Sequence, residues 1–306
     1  MNNGYLYILI DPSLPDGLLK IGKTDKTPVR PDGNHVPEDV PYVVYDIAVS
    51  DCEKAEAVVF NQLKLFRHHE YRDYYKFPLE MAIAKVRQTA ENVNKVAYYS
   101  KAIKHEPDNA AFYNNLGCGH DGLGNHIGAI ETYKKAILLN PDNAVFHNNL
   151  GCNYGKLGLY RKAADAFKEA IRIKPGFVKA HFDLGFSYGQ LGLHKEAIAS
   201  FREALKVNPN SAQLYYNMGY SYHKIGQCKK AVNALKHAVR INPAHVNAHY
   251  SLGINYLYLD YKKEALRQYK ILRKLNKAKA AGLFNLIYRQ YGKKKHQDHP
   301  VPNSAK

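Results

Sequence analysis
The chain has 306 residues, 45% of them hydrophobic, and a formal net charge of +17. That is more than one compact domain usually takes and enough to bury a sizeable core. No run of about 18 apolar residues appears, so membrane spans and membrane partners are not expected.

The charge is unevenly placed. Residues 1–90 hold 11 Lys and Arg against 13 Asp and Glu, and the remaining residues hold 33 against 14. Two modules with opposite electrostatics are the natural reading. The start, Met1-Asn2-Asn3-Gly4, lacks a basic segment followed by an apolar one, so no secretory signal is expected. Cys52, Cys118, Cys152 and Cys228 lie far apart without a Cys-x-x-Cys pair. They fit a reduced, cytoplasmic protein better than a disulfide framework or a zinc site.

The first module, residues 1–90, reads as a small α/β unit. Tyr5–Ile10, Leu18–Ile21 and Tyr42–Ala48 are β-rich, and Asp11–Gly17 is a turn between the first two. Asp51 is a good N-cap for a helix over Cys52–Phe66. A tyrosine-rich segment, Tyr71–Phe77, then meets Pro78, which opens a second helix. That helix runs through Leu79, Ala82, Ile83 and Val86, and the next is expected over Val93–Lys104. Residues 91–109 then form a half repeat or junction helix whose partner is the last helix of the first module, and the two modules are expected to pack rigidly through it.

Beyond it a period of 34 governs the sequence. Prolines recur at 107, 141, 175, 209 and 243, and glycines at 117, 151, 185, 219 and 253. Alanines recur at 129, 163, 197, 231 and 265, and a further glycine series falls at 124, 158, 192 and 226. Within each cycle the apolar positions have helical spacing, as in Leu150, Tyr154 and Leu157. The mid-cycle glycine suits the left-handed position after a helix end, and proline stops the second helix. Each cycle is therefore a helix–turn–helix hairpin that must stack on its neighbours to bury its apolar face. These residue types at this period resemble the tetratricopeptide repeat (TPR). Residues 110–277 make five repeats, beginning near Ala110, Ala144, Val178, Ala212 and Val246. The fifth ends on Leu272 and Lys277 where Ala and Pro are expected, so residues 278–291 read as a capping helix and 292–306 as a disordered basic tail.

The resemblance implies that the first helix of each hairpin lines a groove for a partner protein or peptide, without any cofactor. The inward positions are then Asn114 and Cys118, Asn148 and Cys152, Phe182 and Phe186, Tyr216 and Tyr220, and Tyr250 and Ile254. Beside them runs a column of Asn115, Asn149, Asp183, Asn217 and Ser251. Amides of this kind can bond both donors and acceptors of an extended peptide. On the second helices, Lys134, Lys168, Arg202, Lys236 and Lys270 recur, followed four residues later by Arg172, Lys206, Arg240 and Lys274. Residues four apart share a helix face, so a positive stripe is expected, suited to nucleic acid or an acidic surface. A solvated face that keeps the protein soluble is the alternative.

Leu6-Tyr7-Ile8 and Lys20-Ile21-Gly22, followed by Asp51–Ala57 and Arg72–Lys76, resemble in order the GIY-YIG nuclease superfamily, in the branch whose second motif reads Lys-Ile-Gly. That resemblance implies a divalent-metal DNA endonuclease using Mg or Mn. Tyr7 would help activate the nucleophile, Lys20 replaces the second tyrosine, and Glu56 would hold the metal. Arg30 is the candidate for the phosphate-stabilising arginine, but Pro31, Asp32 and Gly33 oppose the helix it should occupy. His68, His69 and Glu70 stand where an asparagine is expected. The whole-chain expectation is an interaction scaffold with a degenerate nuclease-like head; the alternative is an active endonuclease positioned by its TPR array.

Overall fold
The computed structural model describes residues 4–10, 18–24, 42–63, 74–76 and 78–291. Two compact units divide between Leu157 and Gly158. Arg30, the His68–Glu70 trio and the tail over 292–306 lie outside the described residues.

The first unit opens on β1 (Gly4–Ile10), β2 (Leu18–Thr24) and β3 (Tyr42–Val49), then helix α1 (Cys52–Leu63) and the short β4 (Tyr74–Lys76). The strands form one antiparallel sheet in the order β3-β1-β2-β4. Alternation along the strands sends Leu6, Ile8, Leu19 and Ile21 to one face, where they are buried in a single core with Ala55, Val59 and Leu63 of α1. Asp51 caps α1 as its sequence suggests, its Oδ1 accepting from Lys54 N at 3.1 Å.

Helix α2 (Leu79–His105) is one uninterrupted element of 27 residues. The expected break between Val86 and Val93 is not there. The polar run Gln88–Asn92 holds no Gly or Pro, and Thr89, Ala90 and Asn92 are buried rather than looped out. Ala82, Val86, Ala90, Val93 and Val96 extend the sheet's core, which continues into Leu116 and Leu123 of the first repeat. This unit continues through α3 (Ala110–Gly122), α4 (His126–Leu139) and α5 (Ala144–Lys156).

The second unit holds α6 (Tyr160–Ile173), α7 (Val178–Gln190), α8 (His194–Val207), α9 (Ala212–Lys224), α10 (Cys228–Ile241), α11 (Val246–Tyr258), α12 (Lys262–Leu275) and α13 (Lys277–Tyr291). Each helix packs on the next, and α13 packs on both α11 and α12. The five first helices start at the residues that the 34-residue period marks. Asn109, Asn143 and Ser211 cap three of them through side-chain oxygens that accept a backbone N–H. The hairpin turns place Gly124, Gly158, Gly192 and Gly226 at φ of +73° to +77°. In the fifth repeat Asp260 takes that left-handed position at φ 61°.

In three repeats the periodic Gly of the first helix sits against a large side chain of the second, as Gly117 does against Tyr133. A β-carbon at Gly185 would stand 2.6 Å from Phe201 Cε1, and one at Gly219 would stand 2.8 Å from Leu235 Cγ. In the last repeat Gly253 meets Leu283 of α13 instead, with 2.5 Å to its Cδ2. The capping helix thus packs directly on the first helix of the last repeat. No helix among the described residues is long and apolar enough to cross a membrane.

Candidate functional site
In the second unit, the first helices α7 and α9 enclose a depression of about 540 Å³. It gathers Phe186, Tyr216, Asn217 and Tyr220 from the expected groove. Phe186 and Tyr220 are 48% and 43% exposed, so two aromatic faces are offered to a partner rather than spent in the core. Gln213 donates to Asn217 Oδ1 at 3.2 Å, which orients that amide. Lys224 lies over the Tyr220 ring, 5.3 Å from its centroid, and His194 meets the same ring edge-on. Burial, and then the nearby Lys224, push the His194 pKa below its ordinary value.

Several lining residues were not foreseen, among them Gln190, Lys224 and His194. Gln190 and Lys224 stand one helical turn beyond Phe186 and Tyr220, and extending the inward positions by four residues would have found them. Other expected groove residues serve packing. Phe182 leans on Phe201, with ring centroids 6.1 Å apart, and Tyr250 is partly buried against α13 with Lys279 4.7 Å over its ring. Tyr216 is itself half-buried, which raises its pKa, and it stacks obliquely on His245. Asp183 carries interactions of its own, and its carbonyl accepts from Ser187 Oγ at 2.8 Å.

In the first unit, Asn114, Asn115 and Asn149 bond to one another. Asn149 donates to Asn114 Oδ1 at 3.0 Å, and Asn114 Nδ2 faces Asn115 Oδ1 at 3.4 Å. Asn148 is 1% exposed and so cannot meet a peptide as expected; its amide approaches Cys152 Sγ at 3.7 Å. A second polar column also escaped the sequence reading. Asn153 and Asn255 are each 1% exposed and donate to the carbonyls of Asn149 and Ser251. Histidines 147, 181 and 249 reach back to the carbonyls of Pro141, Pro175 and Pro243 at 2.8–2.9 Å, tying helix to turn.

The basic positions are exposed, but they are not equivalent. Lys168 faces Asp165 at 3.4 Å, Arg172 faces Glu169 at 2.8 Å, and Lys206 faces Glu203 at 2.7 Å. Lys168 and Arg202 also lie over the rings of Tyr188 and Tyr222, which belong to the following repeat in each case. These cations brace one hairpin on the next. Beyond them, α10 carries no acidic residue and α12 only Glu264. The positive charge of the stripe is therefore least offset by acids of its own helix at Lys236, Arg240, Lys270 and Lys274. Lys134, on α4 of the first unit, is exposed.

In the sheet, Tyr7 pairs with Gly22 across β1 and β2, and its ring lies on the α-carbon of Gly22, where no β-carbon would fit. Tyr7 and Lys20 alternate to the face opposite Leu6, Ile8, Leu19 and Ile21. Glu56, on α1, is ion-paired with Lys23 at 3.2 Å, and Glu53 lies 3.9 Å from the same ammonium. Among the described residues no three His, Cys, Asp or Glu side chains converge. The carboxylate that the resemblance assigns to a metal, Glu56, is thus paired with a lysine.

Sequence models of the tetratricopeptide repeat match residues 123–158 and 190–226, 144–177, and 212–245. Solved structures share the fold. A crystal structure of MamA is 26% identical, with a TM-score of 0.52 over 54% of this chain and 97% of that one. YrrB, described as a TPR protein with an unusual peptide-binding site, is 22% identical, with a TM-score of 0.55 over 61% of this chain and 97% of its own. A MamA fragment from Desulfovibrio magneticus RS-1 is 21% identical, with a TM-score of 0.53 over 55% of this chain and 96% of that one. No curated protein matches the chain in sequence. Period, hairpin geometry and these matches agree that tetratricopeptide repeats lie within residues 123–245 of the chain.

Proposed function
We propose that this protein is an interaction scaffold whose α7–α9 groove takes an extended peptide, while its N-terminal module is a nuclease-like fold without catalytic activity. The observation that carries the first part is the pairing of exposed Phe186 and Tyr220 with the oriented amide of Asn217 in one depression. Aromatic anchors supply apolar contact, and amides satisfy a peptide backbone that would otherwise be desolvated. That YrrB, of the same fold, has a peptide-binding site supports the reading.

The test is selection of peptides from a random display library on the full chain, followed by fluorescence anisotropy with the synthesised winners. Tyr220→Ala and Asn217→Ala should each weaken binding by about tenfold, the scale of an interface hot spot. Lys206→Ala, outside the groove, should leave affinity unchanged. Peptides whose affinity ignores both groove variants would overturn the assignment.

The second reading is a Mg- or Mn-dependent endonuclease. It is favoured by the order of the motifs that carry the resemblance, with Tyr7 lying over Gly22 in the sheet. The position of Glu56 against Lys23 weighs against it.

A further inference from the structure
We infer that the end of the second unit, built from α10, α12 and α13, is a binding surface for single-stranded nucleic acid. These helices hold four, six and three Lys or Arg respectively, against Glu264 alone. Their neighbours α6 and α8 carry cations too, but there Asp165, Glu169 and Glu203 sit within ion-pair distance of them. The difference is local and decides where a polyanion would gain most. Phosphates displace condensed counterions on meeting such a face, and this gives affinity without sequence preference.

Geometry points to a single strand rather than a duplex. A pocket of about 460 Å³ opens between α10 and the start of α12. Lys229 and Lys236 stand on its α10 wall, two helical turns and about 10 Å apart. Asn233 lies between them, and Leu259 and Tyr261 form the opposite side. Tyr261 is 47% exposed. A cleft with cations along one wall and an aromatic ring on the other suits an unstacked base whose flanking phosphates follow the lysines. A duplex keeps its bases inside and could use only the charge. Glu264 also lines the pocket and stands beside Tyr261 rather than on the lysine wall.

The experiment uses the full chain and a fluorescein-labelled oligothymidylate of about 20 nucleotides, longer than a typical single-strand site. Anisotropy titrations at increasing salt should show affinity falling steadily with log salt. Lys229→Glu combined with Lys236→Glu should weaken binding by tenfold or more, and Tyr261→Ala by about tenfold through lost stacking. Lys195→Glu combined with Lys206→Glu, on α8, should change it less than about twofold, since that face already carries acids. Thermal melts check that each variant folds. Absence of binding, a flat salt dependence, or equal losses from the α8 and α10 pairs would overturn the inference. So would a duplex of equal length, or polyglutamate, binding as tightly as the single strand with Tyr261→Ala silent. Peptide capture by the α7–α9 groove is independent of all these outcomes.

Discussion
Glu56 on α1 and Lys23 on β2 form an ion pair at 3.2 Å, with Glu53 as an outer partner. The hydrogen bond from Lys23 to Glu56 is the main reason the lysine pKa rises above its ordinary value. A cation binding at Glu56 would have to displace or share this lysine, which sets the proposed inactive reading against the endonuclease one. Wild-type protein is therefore expected to leave supercoiled plasmid intact in Mg or Mn, with no difference from Tyr7→Phe and Glu56→Ala. Nicking by the wild type that both substitutions abolish would restore the endonuclease reading.

Two glycines of α7, four residues apart, should respond oppositely to alanine. Gly185 faces Phe201 so closely that a methyl group cannot enter without moving the ring. Gly185→Ala is expected to lower stability by about 1–3 kcal/mol, the usual cost of overpacking. Gly189 has nothing within 4 Å of an added β-carbon. There alanine should be neutral or stabilising by up to about 1 kcal/mol, because helical glycine loses more backbone entropy. Urea titrations of both variants check the pair; a destabilised Gly189→Ala would show the backbone argument to be wrong.

The contrast between these glycines also shows how far the sequence could be read. A fixed 34-residue phase announces Gly185 as a packing position, and it placed the starts of all five first helices. Gly189 has no such series, since the same position holds His223 and Leu257. The lining of the α7–α9 depression was half legible for the same reason. Column membership named Phe186, Asn217 and Tyr220, but periodicity cannot say which member of a column turns inward, as Asn148 and Phe182 do. Lys168 and Arg202 look like free charges in a one-dimensional pattern; only stacked hairpins reveal Tyr188 and Tyr222 beneath them.

Acid should weaken the fold through three partly buried histidines. His120 is half-buried with Nδ1 lacking a hydrogen-bond partner, and burial, then the nearby Lys54, hold its pKa below the ordinary value, with Glu131 opposing weakly. His194 and His245 are lowered too, chiefly by burial. For each, the unfolded chain takes up a proton more readily than the folded one. Stability is then full above about pH 6.5, the unfolded histidine value, and declines as the pH falls below it. Urea midpoints at pH 7, 6 and 5 should drop in that order, and His120→Gln combined with His194→Gln should flatten the trend. A midpoint that rises on acidification contradicts the assignment.

Helix α2 makes the sheet and the first repeats depend on one another. Its first half presents Val86, fully buried, to the sheet core, and Arg87 donates from Nε to the Tyr45 hydroxyl at 3.2 Å. Its second half presents Val96 to Gly119 of α3, where a β-carbon would come within 2.8 Å of Val96 Cγ2. Nothing in the helix, neither Gly nor Pro, offers a point at which one half could loosen alone. Val86→Ala removes two buried methyl groups and should cost about 2 kcal/mol, in line with other large-to-small core changes. Because the element is continuous, the loss should be felt at both ends. Hydrogen exchange is expected to quicken for amides of α3 as well as β1, and by similar factors, since both would open with the same unit. Exchange that quickens in β1 while α3 stays protected would mean that the repeats hold α2 without help from the sheet.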